Sequence, residues 1–301
     1  MIDRYLLRYF LAVIDQGNFS KAAASCNVSQ PTLSAGIAKL ETLLGRPLFI
    51  RSNRRVELTP AAVHLAGHAR RIEAEFSAAE RAVQEETAPA TLRLGVLASI
   101  PGAWIEDYAA GLREAGGGER VEFIEGRERE LTERLARGSL DLALTIIRDD
   151  ARFPAERLLR EGYSLAMSVS HRFADRDLID GAELAGEPMI VRRHCELLPD
   201  TSRHFTARGV RPFFPARVTS DDRALRLVRA GLGVTVMPDS FRAPGVVRPR
   251  LADFPYVRDL GLLFGGHVDA AMRDRPSVRL LATQVESRSE EPFLRRPVQQ
   301  P

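Results

Sequence analysis

Near residue 90 the hydrophobic pattern of this 301-residue chain changes period. Upstream, apolar residues recur at the spacing of amphipathic helices; downstream, short apolar runs alternate with helical stretches, as strands covered by helices do. One core cannot serve both patterns, and at about 100–200 residues per domain the length calls for two or three domains. No stretch approaches the roughly 18–20 uncharged apolar residues of a membrane span. The start, Met1-Ile2-Asp3-Arg4, carries an acid early and is not expected to be a signal peptide. Cys26 and Cys195 are too few for a disulfide scaffold and lack the spacing of a zinc site. A cytoplasmic protein without metal, cofactor or membrane partner is expected.

Leu6, Leu7, Phe10, Leu11, Val13 and Ile14 lie at helical spacing, and Gly17-Asn18 stops that helix. Ser20 is expected to cap a short second helix, Lys21–Cys26, rich in small residues. Asn27 tolerates a left-handed backbone, Val28 points inward, Ser29 caps again, and Pro31 fits the first turn of a third helix. That helix runs to Leu44 with Leu33, Ile37, Leu40 and Leu44 buried, and ends at Gly45. Two short helices meeting at alanines across a tight turn form a helix-turn-helix. Its outward face presents Gln30, Thr32, Ser34, Ala35 and Lys39, small polar groups suited to phosphates and base edges; a helical hairpin without that role remains an alternative.

Two short strands follow, Pro47–Ile50 and Val56–Leu58, around Arg51-Ser52-Asn53-Arg54-Arg55. This is a hairpin wing whose arginines can reach phosphates or a minor groove. Net charge supports the assignment by position: the overall +3 hides ten basic side chains against four acids in residues 1–71, followed by an acidic stretch over 72–90. Nearly all of that positive charge is arginine throughout the chain, so position rather than residue type carries the argument.

From Tyr9–Val13 through Asn18–Ala23, Val28–Ser34, Leu40-Glu41, Leu44-Gly45, Leu48–Arg51 and Leu58-Thr59-Pro60, the sequence resembles the LysR-type transcriptional regulators. The resemblance implies a multidomain α/β protein: an N-terminal winged helix-turn-helix (1–58), a long linker helix (59–88) and a two-lobed, periplasmic-binding-protein-like effector domain built from Rossmann-like units. Lobe I is expected at 91–162 plus 267–301, and lobe II at 163–266. Promoter DNA, a small-molecule effector and the chain itself, as homodimer and homotetramer, are the implied partners. Expected DNA contacts are Ser20, Ser29, Gln30, Pro31, Thr32, Ser34 and Lys39 on the helices and Arg51, Arg54 and Arg55 on the wing. One departure matters. Where the family usually carries a polar pair after the Leu-Ser of the recognition helix, this chain has Ala35-Gly36, and Ala38 replaces a frequent arginine. Base readout then falls on fewer side chains, and DNA shape supplies more of the specificity.

Thr59 caps and Pro60 opens the linker helix, in which Leu65, Ala69, Ile72, Phe76, Ala79 and Val83 form an a/d seam. Such a seam either packs back on its own domain or takes a partner helix, and the resemblance implies antiparallel pairing in a dimer. His64 and His68 sit at i, i+4 with no further ligand nearby, so no metal site is expected there.

Beyond Thr91 the order is strand (Leu92–Val96), helix (Trp104–Leu112), strand (Val121–Ile124), helix (Glu128–Arg137), strand (Asp141–Ile146), a βαβαβ parallel unit. A second unit starts near Tyr163 and includes Met189-Ile190-Val191, the helix Asp222–Ala230 and Gly231-Leu232-Gly233 before Val234–Pro238. The chain is expected to return to the first unit through the helix Pro276–Val285. Ligands of such folds bind at strand C-termini and helix N-termini, which nominates Ser99, Ile100, Thr145, Arg192, His194 and Thr219. Hydroxyls and helix-terminal N–H groups beside an arginine suit a small carboxylate; each residue alone could equally cap its own turn.

No Gly-x-Ser-x-Gly elbow, phosphate loop, HExxH or complete GxGxxG supports an enzyme. Cys195 beside His194 invites a thiolate nucleophile or peroxide sensor, but Cys26, in the helical head, is poorly placed to pair with it. The competing reading is a solute-binding or catalytic domain whose N-terminal helices only dimerise; the wing arginines and the Val28–Ser34 signature argue against it.

Overall fold

A computed structural model describes residues 1–51, 56–84, 91–116, 118–151 and 153–288, with backbone alone at 51, 78 and 81–84. The chain forms two compact units. The first holds the N-terminal segment through residue 84 with Glu133–Leu140 and Gly265–His267; the second holds the remainder from Thr91 onward.

In the first unit, α1 (Arg4–Gln16) buries Leu6, Leu7, Phe10, Leu11 and Val13 on one face. It is followed by α2 (Phe19–Ser25) and α3 (Gln30–Leu44). The cap of α2 is Asn18, whose side chain accepts from the Ser20 and Lys21 N–H groups, so Ser20 stands inside the helix rather than at the expected cap position. Asparagine wins because its carbonyl oxygen reaches two orphan N–H groups at once. Asn27 turns the chain in the left-handed region, φ 56°, and the Ser29 hydroxyl accepts from the Thr32 N–H to open α3. Ala22 and Ala23 of α2 are buried against Leu33, Ile37 and Leu40 of α3, with Phe10 and Phe49 completing the core. Each fully buried large side chain of that set contributes about 1.5–3 kcal/mol.

The wing is an antiparallel pair, β1 (Phe49–Arg51) and β2 (Val56–Leu58), in register Phe49↔Leu58. Glu41 of α3 ties it down: its carboxylate accepts from the Leu48 N–H at 2.7 Å and the Phe49 N–H at 3.2 Å. Thr59 donates to the Pro47 carbonyl and caps α4 (Pro60–Gln84) by accepting from the Ala62 N–H. The expected seam of α4 divides. Ala69 is buried and Leu65 half-buried on the helical core of the same unit, whereas Ile72 and Phe76 are 40% and 44% exposed. Arg4 reaches across to this segment, donating to Glu73 at 3.1 Å and Glu80 at 2.8 Å with its guanidinium over the Phe76 ring. Ala79 is exposed, and the Val83 side chain lies outside the described residues.

From Thr91 onward the chain takes up the expected parallel arrangement. β3 (Thr91–Leu97), α5 (Gly102–Glu114), β4 (Arg120–Gly126), α6 (Glu128–Ala136) and β5 (Leu142–Ile146) alternate, with β3 pairing in parallel to both β4 and β5. The 14-residue β6 (Ala155–Ser168) then leaves this lobe for the next, starting earlier than the boundary expected near Tyr163. There follow β7 (Leu178–Ile179), β8 (Ile190–Arg192), α7 (Leu198–Ala207), β9 (Ala216–Val218), α8 (Asp221–Arg229), β10 (Thr235–Pro238), β11 (Val246–Val247) and β12 (Arg250–Leu251). The return is made by a strand, β13 (Val257–Phe264), antiparallel to both β5 and β6, and not first by the C-terminal helix. After the short α9 (Ala270–Arg273), that helix, α10 (Pro276–Ser287), packs beside α5, where Tyr108 donates to the Ser277 carbonyl. The main sheet runs β10-β6-β13-β5-β3-β4. Its two lobes are thus linked by two long strands, the two-lobed α/β architecture expected.

Lobe II has two apolar layers. Tyr163, Leu165 and Met167 of β6 face one layer with Met189, Phe205 and Val236; Ala166 faces the other with Ile190, Val228 and Phe241, the alternation a strand covered on both faces requires. The Gly231-Leu232-Gly233 turn has a physical reason: Gly231 takes φ +80°, and a Cβ on Gly233 would stand 2.5 Å from the Pro188 carbonyl oxygen. That contact lets the Val234 N–H donate to the same carbonyl at 2.9 Å.

Candidate DNA-reading face and effector cleft

On the first unit, the exposed N-terminal turn of α3 carries Ser29, Gln30, Pro31 and Thr32, with Ser34 half-buried below them. The Ser29 and Thr32 hydroxyls lie 2.7 Å apart, and the Gln30 amide donates to the Ser34 hydroxyl at 3.1 Å. These bonds hold the side chains over the positive end of a 15-residue helix. Lys39 is exposed but engaged, donating to the Tyr5 hydroxyl at 3.0 Å with Asp3 at 3.6 Å; the Tyr5 bond, then Asp3, raises its pKa. Ser20 is exposed in the first turn of α2. Gly36, half of the departing Ala35-Gly36 pair, is buried: a Cβ there would meet the Tyr9 ring at 2.7 Å. That position serves packing and presents nothing outward. Arg54 and Arg55 lie outside the described residues, and Arg51 is described by its backbone alone.

In the second unit, both lobes and both linking strands bring charged groups to the strand ends. Arg258, on β13, is 3% exposed. It donates to Glu161 of β6 at 2.9 Å, to the Ser99 hydroxyl at 2.9 Å and carbonyl at 3.0 Å, and to Glu196, in the loop after β8, at 2.6 Å. The Tyr163 hydroxyl donates to the same Glu196 oxygen at 2.6 Å, and the Ser240 N–H donates to Glu161 at 2.6 Å. Burial pushes the Glu196 carboxyl up, but Arg258, the Tyr163 bond and Arg192 outweigh it and hold it below the ordinary range. Burial, opposed by Arg258, raises the Tyr163 phenol. The network joins lobe I (Ser99) to lobe II (Glu196) through one guanidinium.

A second set lies beside it. Arg192, 2% exposed, makes a two-toothed pair with Asp221 at the start of α8, 2.7 Å on its Nε side, and donates to the Val236 carbonyl at 2.8 Å. Its Nη1 also lies 3.4 Å from the Cys195 thiol. Burial raises the Cys195 pKa against the opposing pull of Arg192, keeping it a thiol at neutral pH. The next residue, Asp222, accepts from the Gly102 N–H at 3.2 Å. The N-terminus of α5, an anion site by its dipole, is therefore served by a carboxylate from the other lobe.

Of the six nominated cleft residues, Ser99 joins the Arg258 network, Ile100 is buried beside it in sequence, and Thr145 is fully buried on β5. Arg192 is committed to Asp221. His194 is half-buried, and Thr219 is exposed while Ser220, one residue on, caps α8. Among the described residues, the buried polar atoms without a hydrogen-bond partner include Thr145 Oγ1, His194 Nδ1 and Glu196 Oε2. Sequence reasoning missed Arg258, Glu161, Tyr163, Glu196, Asp221 and Asp222. A signal existed for two of them: an arginine inside the apolar run Val257–Phe264 and a glutamate in β6 must be paired, because an unpaired buried charge is prohibitively costly. Among the described residues, no group of three or more His, Cys, Asp or Glu is placed to hold a metal ion, and no helix is long and apolar enough to cross a membrane.

Comparison with known proteins agrees with this division. A family model described as "Bacterial regulatory helix-turn-helix protein, lysR family" matches residues 5–63, and one described as "LysR substrate binding domain" matches residues 85–284. The chain is 32% identical over 268 residues to a probable hydrogen peroxide-inducible genes activator of Mycobacterium avium, covering 86% of each chain. It is 28% identical over 267 residues to the DNA-binding transcriptional dual regulator OxyR of Escherichia coli (strain K12), covering 86% of this chain and 88% of that one. In fold it is similar to a full-length OxyR variant from Pseudomonas aeruginosa, with a TM-score of 0.53, 22% identity and 95% of each chain covered. HinK, a LysR family regulator of the same organism, has a TM-score of 0.53 at 21% identity, covering 96% of this chain and 99% of that one.

Proposed function

The chain belongs to the LysR family of DNA-binding transcriptional regulators with an effector-binding domain, and from that premise we propose which of its groups read DNA and which sense the effector. The observation that carries the DNA assignment is the exposed polar turn of α3, fixed by its own hydrogen bonds on a fully packed three-helix core. Gln30, Thr32 and Ser34 read base edges in a major groove, while Ser29 and the N–H groups of the helix start hold a phosphate. Arg54 and Arg55, with Arg51, anchor the wing to the backbone. The exposed Ile72 and Phe76 support pairing of two α4 helices, which places two readers on a dyad site, and such dimers pair further into tetramers. This work is binding rather than catalysis, and it takes place in the cytoplasm, with the DNA.

The effector enters between the lobes. There it competes with the protein's own contacts, Arg258 to Ser99 and Glu196, and Gly102 to Asp222, and offers partners to Thr145, His194 and Glu196. An effector shifts the lobes only by the difference in its affinity for the two arrangements. Because Asp222 already occupies the α5 N-terminus, a carboxylate effector must displace it. The test is nuclease protection of the DNA upstream of the protein's own gene. Two protected half-sites a helical turn or a multiple apart are expected; an unprotected region, or protection of a single half-site, contradicts the dimeric reading.

A second reading takes hydrogen peroxide as the effector, favoured by the names of the two curated relatives and by the half-buried Cys195 beside Arg192. In that reaction the Cys195 sulfur attacks one peroxide oxygen; the S–O bond forms, the O–O bond breaks, and water leaves with the thiol proton, giving a sulfenic acid. The raised thiol pKa slows this step. Dimedone labelling of Cys195 at micromolar peroxide supports the second reading; labelling no faster than that of a free thiol removes it.

A further inference from the structure

Lobe II contains a cavity of about 560 Å³ that borders Arg192 but none of the Arg258, Ser99, Glu161 and Glu196 network. Its walls come from β8, α7, the segment leading into β9 and Val236 of β10, with Val191, Leu198, Phe205 and Phe214 among the apolar side chains. The volume lies within the range of about 300–1,000 Å³ typical of small-molecule sites. Two exposed arginines, Arg211 and Arg217, line it as well. Neither has a carboxylate partner among the described residues, unlike Arg172, Arg176, Arg203 and Arg208 of the same lobe. Arg217 lies over the Phe214 ring, 5.3 Å from its centre, so cationic and aromatic surfaces adjoin. The Cys195 thiol also borders the cavity.

An apolar chamber with unpaired guanidinium groups is complementary to one kind of molecule. We propose that this cavity binds an apolar carboxylic acid, its ring or acyl body against Val191, Leu198 and Phe205 and its carboxylate on Arg211 and Arg217. Guanidinium groups match a carboxylate through two parallel N–H···O bonds, and the Arg217–Phe214 stack orients one of them. The cavity meets the candidate effector residues at Arg192, whereas α7 and β9 take no part in the Arg258 network.

The test uses the full-length protein and 2-naphthoate, with neutral 2-naphthol as the comparison. Binding is followed by displacement of anilinonaphthalene sulfonate fluorescence, and location by the rate at which iodoacetamide alkylates Cys195, with Cys26 as internal reference. Naphthoate is expected to slow alkylation of Cys195 several-fold and leave Cys26 unchanged. Arg211→Glu with Arg217→Glu, both at exposed positions, is expected to weaken naphthoate at least tenfold with little effect on naphthol. Thr201→Trp, which fills the cavity from α7, is expected to weaken both ligands. Naphthoate binding that ignores the arginine pair, or that leaves Cys195 alkylation unprotected, overturns the proposal even if the filled variant fails to fold.

Discussion

Gly36 and Arg258 show how single positions were decided by their surroundings. Ala35-Gly36 looks in sequence like a loss of base-reading groups, yet Gly36 faces inward, where any side chain would strike Tyr9. Gly36→Ala is expected to destabilise the head by about 1–3 kcal/mol, because the close-packed ring cannot withdraw without opening the α1–α3 contact; a thermal melt with unchanged stability contradicts that packing. Arg258 is the opposite case. It was invisible as a site residue because its partners, Ser99, Glu161 and Glu196, are 159, 97 and 62 positions away in the chain. Local pattern finds the anomaly of a charge in an apolar strand but cannot name what pairs with it. The Glu196 carboxyl, held low in the fold, stabilises fully above its ordinary value of 4.5, and that contribution is lost as pH falls through the lower folded value. Glu196→Gln should therefore cost about 1–3 kcal/mol at pH 7, and the gap from the unsubstituted protein should close as pH falls below the ordinary value. A gap that widens on acidification contradicts the pairing.

At the scale of elements, caps and turns were the most legible features. Ser29 and Thr59 do what short-range chemistry dictates, and Gly45 ends α3 where the periodicity stops. The cap of α2 slipped by two residues because serine and asparagine compete for the same role two positions apart. β13 was unread for a different reason: its continuous apolar run suits either a strand or a buried helix, and its partners are remote in sequence. For α4, periodicity identified the seam but could not say that Leu65 and Ala69 would be used at home, leaving Ile72 and Phe76 outside. A partner helix then has a shorter stripe to grip. Ile72→Glu with Phe76→Glu is expected to shift the protein at micromolar concentration from dimer to monomer in sedimentation, with the melting temperature changed little since both residues are exposed. A dimer that survives the double change places the interface elsewhere.

For the whole molecule, the division of labour follows from charge and topology together. The arginine-rich head is a rigid reader whose polar turn is fixed before DNA arrives; the body is a pair of lobes strung on β6 and β13, stitched by contacts that a ligand can replace. Two successive strand–helix units were readable from the change of period and the βαβ alternation, and their assembly as two lobes from the family resemblance, whereas which charges face one another across the cleft is a property of the assembled strands alone. The central claim, that the head binds DNA through phosphates and reads it through α3, is tested most directly by the salt dependence of affinity for the DNA upstream of the protein's own gene. The logarithm of the affinity should fall linearly with that of salt, by about 0.9 per phosphate contact. Arg54→Ala with Arg55→Ala should lower the slope and weaken all sequences alike, while Gln30→Ala should keep the slope and lose about 1–3 kcal/mol of preference at particular base pairs. Binding that is absent or indifferent to salt contradicts the account.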